Sequence, residues 1–100
     1  MKLEITYKTR KLQKVCTNAR EAEKAHGTLM AEKIQQRIDE ISAVETLAEM
    51  LQYRIGGCHR LLGRREGQYA LTLIQPYRLV FEMVEDKINV VCILEIVDYH

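Results

Sequence analysis

Tryptophan is absent from these 100 residues, and proline and serine occur once each. A lone proline leaves no Pro-rich linker, so nothing in the composition divides the chain. The one serine, Ser42, stands in no nucleophile elbow and reads as a helix cap. No apolar run is long enough to span a bilayer. The first ten residues hold no apolar h-region, so no secretory signal is expected. The three cysteines, Cys16, Cys58 and Cys92, are odd in number and widely spaced. They fit neither a disulfide framework nor a zinc pattern, and read as buried thiols in a reducing cytoplasm. No Gly-rich loop leads from a strand into a helix, which argues against a nucleotide cradle. The three histidines, His26, His59 and His100, lack metal-ligand spacing, so neither a metal nor a cofactor is expected. His26, beside Gly27, reads as a helix C-terminal cation. Cys58 and His59 are neighbours, so on a strand they point to opposite faces and form no nucleophile–base dyad.

What is present is a globular balance, 47% hydrophobic and 29% charged, in a length suited to one small domain over residues 1–100. The net charge of +1 hides an uneven distribution. Residues 1–26 hold seven Lys/Arg and three Glu, whereas residues 27–100 hold eight Lys/Arg and eleven Asp/Glu. A basic first quarter can track a phosphate backbone. On charge alone, a solvated helix face is an equal reading.

Leu3-Glu4-Ile5-Thr6-Tyr7 alternates and predicts a short strand. A helical stretch follows, with Leu12, Val15, Cys16, Ala19 and Ala22 on one face, broken near Thr17 where Asn18 and Glu21 form a capping box. Gly27 is placed to close that helix in the left-handed conformation. Thr28 then caps a helix to about Ser42, with Met30, Ile34, Ile38 and Ile41 inward. Overlapping capping boxes at Ser42 and Thr46 predict a short helix over 45–51. The remainder reads as strands over 58–62, 68–74, 77–84 and 88–97, with turns at 63–67, Gln75-Pro76 and 85–87. The last strand is apolar on both alternating sets, which suggests cover on both faces and a central position. Helices followed by hairpins imply an α+β domain: an antiparallel, twisted sheet of four to five strands packed on an N-terminal helical pair.

Hairpin counting brings side chains together. A loop centred near Arg65 sets His59 across from Leu71 or Thr72, and a turn at Gln75-Pro76 sets Thr72 across from Arg78 or Leu79. His59 and Arg78 would then share one transverse row, roughly 10 Å apart between backbones. Arg78 has either a functional task or a salt bridge to Glu95 or Asp98. Arg64 and Arg65 are expected to pair with Glu85 and Asp86 as a structural clamp. Asp98-Tyr99-His100 follow the last strand with an acid, a phenol and an imidazole. If that tail curls back, it joins His59 and Arg78 in a set suited to metal-free cleavage of RNA. One group takes the ribose 2′-OH proton, the arginine stabilises charge on the phosphate, and another group protonates the leaving oxygen.

Three motifs in this order carry a family resemblance: Gly57-Cys58-His59-Arg60-Leu61-Leu62-Gly63-Arg64-Arg65-Glu66-Gly67-Gln68-Tyr69, then Pro76-Tyr77-Arg78-Leu79-Val80-Phe81-Glu82, then Glu95-Ile96-Val97-Asp98-Tyr99-His100. With Ala31-Glu32-Lys33-Ile34 and Arg37-Ile38, the chain resembles the HigB-like branch of the RelE/ParE toxin superfamily along nearly its whole length. The resemblance implies a RelE-like fold and a bacterial type II toxin. Such a toxin is a cytoplasmic ribonuclease that cuts mRNA on the translating ribosome, without a cofactor, and is silenced by a cognate antitoxin. It implies catalytic or supporting roles for His59, Arg78, Asp98, Tyr99 and His100. It also implies RNA contacts from the basic first helix (Lys8, Lys11, Lys14) and from Arg60, Arg64 and Arg65.

Two departures stand out. The family's usual loop reads Leu-Lys-Gly-Asp-Arg, whereas here Leu62 replaces the lysine and Arg64 the aspartate. Ala70 and Thr72, where RelE-type relatives place lysines, are also uncharged. A weak or substrate-dependent nuclease is expected, unless Arg60, Arg64 or Arg65 supplies the charge. The alternatives are a non-enzymatic inhibitor of a protein target such as DNA gyrase, and a chain serving mainly as antitoxin partner and co-repressor.

Overall fold

The structure, a computed structural model, describes residues 2–98. Strand β1 (Glu4–Tyr7) leads to helices α1 (Arg10–Thr17), α2 (Ala19–His26), α3 (Thr28–Ala43) and α4 (Leu47–Gln52). Strands β2 (His59–Arg60), β3 (Gln68–Thr72), β4 (Tyr77–Met83) and β5 (Val90–Asp98) follow, with short 3-10 turns at Ile55–Gly57 and Gly63–Arg65. The sheet order is β1-β5-β4-β3-β2; β1 runs parallel to β5 and every other pair is antiparallel. This is the expected α+β architecture, with the last strand inside the sheet. None of the described helices is long and apolar enough to cross a membrane.

The helix boundaries follow from local chemistry. Asn18 breaks the first helical stretch: its Oδ1 accepts from the Arg20 and Glu21 amides at 3.0 and 3.3 Å, so a new helix starts there. Ala19, expected inward, is exposed. Gly27 has φ 86 but ψ 167, an extended conformation with positive φ rather than the left-handed helix. It also serves as N-cap of α3 without a side-chain bond, so Thr28 is the first helical residue and not the cap. Ser42 lies within α3, and Thr46 alone caps α4, accepting from the Glu49 amide at 3.2 Å.

Met30, Ile34, Ile38 and Ile41 are buried as their spacing requires. They pack with Val15, Cys16 and Met50 on one sheet face, against Leu71, Leu79, Phe81, Val91 and Ile93. A smaller apolar cluster, Leu61, Ala70 and Val80 with Leu94 and Val97, lies on the other face. Most strands end within two residues of expectation, but β2 is only two residues long. The turn before β5 also runs further than expected. Asn89 sits at φ 57, the left-handed region that asparagine tolerates, which leaves Ile88 84% exposed outside the strand. Cys16 and Cys58 are buried as expected, whereas Cys92 is only half-buried.

Candidate functional site

Register decides which side chains can act together on the face away from the helices. His59 stands opposite Ala70, Ala70 opposite Val80, and Val80 opposite Glu95. Thr72, Arg78 and Val97 form the next row. Ala70 and Thr72 are two residues apart, so both rows lie on one face. The expected single row holding His59 and Arg78 is therefore corrected. They share a face but stand one row apart, because the β2–β3 loop centres between Arg64 and Arg65 rather than on Arg65. The Thr72–Arg78 pairing is as counted.

His59 is held from below. Cys58 is buried and anchors the chain, so its neighbour is exposed on the opposite side. The ring Nδ1 lies 3.0 Å from the Gly57 carbonyl. A carbonyl only accepts, so Nδ1 is the donor in this contact and Nε2 is the ring nitrogen not used in it. Gly57 itself is at φ +72, and a Cβ there would stand 2.6 Å from Thr72 Oγ1. Only glycine lets this turn close against β3 and present His59.

Arg78 is half-buried, and its Nη1 donates to the Tyr77 carbonyl at 3.2 Å. Neither expected salt bridge forms. Glu95 pairs with Arg65 at 2.8 Å, and Asp98 is in register with Tyr77, which alternation puts on the helix side. The Arg65–Glu95 pair also corrects the expected clamp with Glu85 and Asp86. Among the described residues Arg78 has no acidic partner, which suits a cation that meets an anionic ligand. Tyr99 and His100, the other expected members of the set, lie outside the described residues.

The basic residues fall into two groups. Lys11 and Lys14 are exposed on α1, whose opposite side buries Val15 and Cys16. Lys8 follows β1, with its amide donating to the Ile93 carbonyl at 2.9 Å. A groove of about 250 Å³ lies between α1 and β5, lined by Lys11, Leu12, Leu94, Glu95 and Ile96 among others. In the β2–β3 loop, Arg60 and Arg64 are exposed and Arg65 is half-buried. A larger cavity of about 540 Å³, at the α2–α3 turn against Ile74 and Tyr77, is walled mainly by apolar groups and does not include His59.

Burial pushes the Cys16 thiol up to about 12. It pushes the Cys58 thiol up to about 11, with nearby Arg60 partly opposing. Both stay protonated at neutral pH, so neither is a nucleophile. Sequence reasoning overlooked Glu95 as part of this face. Its signal was present, a lone carboxylate within the apolar run of the last strand.

No family model matches the chain, and no curated protein matches it by sequence. Solved structures do match in shape. The YoeB-YefM complex from Staphylococcus aureus aligns at 19% identity and TM-score 0.63, over 100% of this chain and 99% of the other. A YoeB/ParE toxin from Agrobacterium tumefaciens aligns at 13% identity and TM-score 0.65, over 98% and 100%. The toxin-antitoxin complex RelBE2 from Mycobacterium tuberculosis aligns at 11% identity and TM-score 0.50, over 99% and 100%. The likeness is one of fold, end to end: this chain is built as the YoeB, ParE and RelE toxins are.

Proposed function

We propose that this chain is the toxin of a type II toxin–antitoxin pair, a HigB-like, one-domain member of the RelE/ParE superfamily acting in the cytoplasm. In this reading it is a ribosome-dependent mRNA endoribonuclease, silenced by a cognate antitoxin. The toxin fold supports the class, since the solved structures it matches include complexes of a toxin with its antitoxin. The observation that carries the reaction is that His59, its Nδ1 held by the Gly57 carbonyl, and Arg78, with no described acidic partner, share the sheet face away from the helices.

RNA supplies its own nucleophile, the 2′-OH, so general acid–base chemistry suffices without a cofactor. A base removes the 2′-OH proton and the oxygen attacks the adjacent phosphorus. The 5′-oxygen of the next nucleotide leaves with a proton from an acid, giving a cyclic phosphate and a 5′-hydroxyl. Arg78 stabilises the extra charge on the phosphate oxygens. His59, Tyr99 and His100 are the proton carriers of this scheme; Asp98, on the other side of β5 from Arg78, supports the tail that follows it rather than the phosphate. Lys8, Lys11, Lys14, Arg60, Arg64 and Arg65 hold RNA phosphates.

Expression in growing bacteria with mapping of mRNA ends tests this reading. Wild type is expected to give codon-associated cuts that Arg78→Ala and His100→Ala abolish, with both variants folded. Cuts that persist in both variants remove the site assignment. Growth arrest without new RNA ends favours an inhibitor of a protein target.

A further inference from the structure

The sheet face that carries His59 and Arg78 holds a second guanidinium, and β5 sets its position. Of the three arginines in and beside the β2–β3 loop, Arg60 lies over the Tyr69 ring, 5.7 Å from its centroid, with Nη1 3.4 Å from the hydroxyl. Arg64 is exposed. Arg65 instead reaches across the sheet. Its Nη2 lies 2.8 Å from Glu95 Oε2, and its Nη1 donates to Gln68 Oε1 at 3.0 Å. Glu95 is on β5 and Gln68 on β3, so the guanidinium is held from both sides of β4. Glu95 belongs to the row that begins with His59, and Arg78 stands in the next row, roughly 7 Å along the strand. Leu62, in the same loop, is 85% exposed and offers no charge.

The side chains of this ion pair are 35% and 42% exposed. A pair so open to water stabilises a fold little, so stability is a poor reason for a carboxylate inside an apolar strand. Aim is a better one. A guanidinium fork engages a phosphate well only when its plane is directed at the oxygens. We propose that Glu95 is a positioning residue that holds Arg65 on the face of His59 and Arg78, where Arg65 acts with Arg78 as a second phosphate-binding cation for single-stranded RNA. The inference deepens the ribonuclease reading and rests on RNA as its ligand. Because the pair is weak, Arg65 can share its donors with a phosphate while Glu95 keeps the fork facing the rows of His59 and Arg78.

The test is binding of a short single-stranded RNA over a salt series, with cleavage on programmed ribosomes measured in parallel. The chains compared are wild type, Arg65→Ala, Arg65→Lys and Glu95→Gln, each checked by thermal unfolding. Arg65→Ala is expected to weaken binding roughly tenfold and to flatten the log–log salt slope by about 0.7, the loss of one phosphate contact. Arg65→Lys should restore the slope but only part of the affinity, since an ammonium keeps the charge and loses the fork. Glu95→Gln is the discriminating variant. Removing a negative charge from an anion-binding face should tighten binding by simple electrostatics, whereas a positioning role predicts severalfold weaker binding. A wild-type salt slope in Arg65→Ala, or unchanged or tighter binding in Glu95→Gln, overturns the inference. Wild type that binds RNA without cutting it on ribosomes refutes the ribonuclease reading alone, wild type that cuts on ribosomes without binding the free RNA overturns the inference alone, and wild type that does neither overturns both.

Discussion

His59 is presented by its neighbours more than by its own contacts. The turn before it closes because Gly57 has no side chain: at φ +72, an added Cβ would press within 2.6 Å of Thr72 Oγ1. Gly57→Ala combines that clash with a strained backbone and is expected to cost about 1–3 kcal/mol. A urea titration should show a lower midpoint at unchanged slope. The same substitution should lower RNA cleavage beyond the loss of folded protein, because His59 Nδ1 takes its bearing from the Gly57 carbonyl. The motif around His59 was readable as chemistry, since hairpin counting already set its imidazole near Arg78. The reason the second glycine is needed was not readable, because Thr72 lies on another strand.

At the scale of elements, one arginine ties the helices to the end of the sheet. Arg37, on α3, donates through Nε to the Thr72 carbonyl at 2.6 Å and through Nη1 to Glu40 at 2.8 Å. Thr72 is the last residue of β3, beyond the two residues that β2 covers, so a side chain takes the place of a strand partner. Arg37→Ala removes the described donor to that carbonyl and should cost about 1–3 kcal/mol in equilibrium denaturation. Arg37→Lys should recover part of the loss. Thr72 is the register partner of Arg78, so cleavage should fall with Arg37→Ala even at temperatures where the protein stays folded. The elements themselves were visible as apolar periods of helix and strand. Their ends were less so: Asn89 extends the last turn and Gly27 adopts an extended ψ.

For the whole molecule, the buried thiols set an alkaline limit on stability. Cys16 and Cys58 titrate at about 12 and about 11 in the folded chain, against 9.0 for an unburied thiol. The charged form is the anion, so above pH 9 the unfolded chain releases these protons while the folded chain retains them. Stability should hold level below about pH 8 and fall between pH 9 and 11 by about 1.4 kcal/mol per pH unit for each fully titrating thiol. Cys16→Ala with Cys58→Ala should flatten this part of the profile in denaturation midpoints measured from pH 7 to 11. A slope that survives in the double variant would assign the effect to other groups, of which Tyr7, raised by burial and by Cys16, is the first to examine.

Apolar spacing, with the caps and turns that punctuate it, was enough to establish the helices, the strands, most of their inward faces and the α+β class. That information is local, because burying one stripe of a helix or one face of a strand needs no knowledge of distant residues. Folding settled which residues stand in one row, that Arg65 meets Glu95 rather than Glu85 or Asp86, and that Asp98 turns away from Arg78. Such pairings depend on how many residues each loop consumes, and a shift of one residue in the β2–β3 loop moves every side chain of a strand relative to its partner.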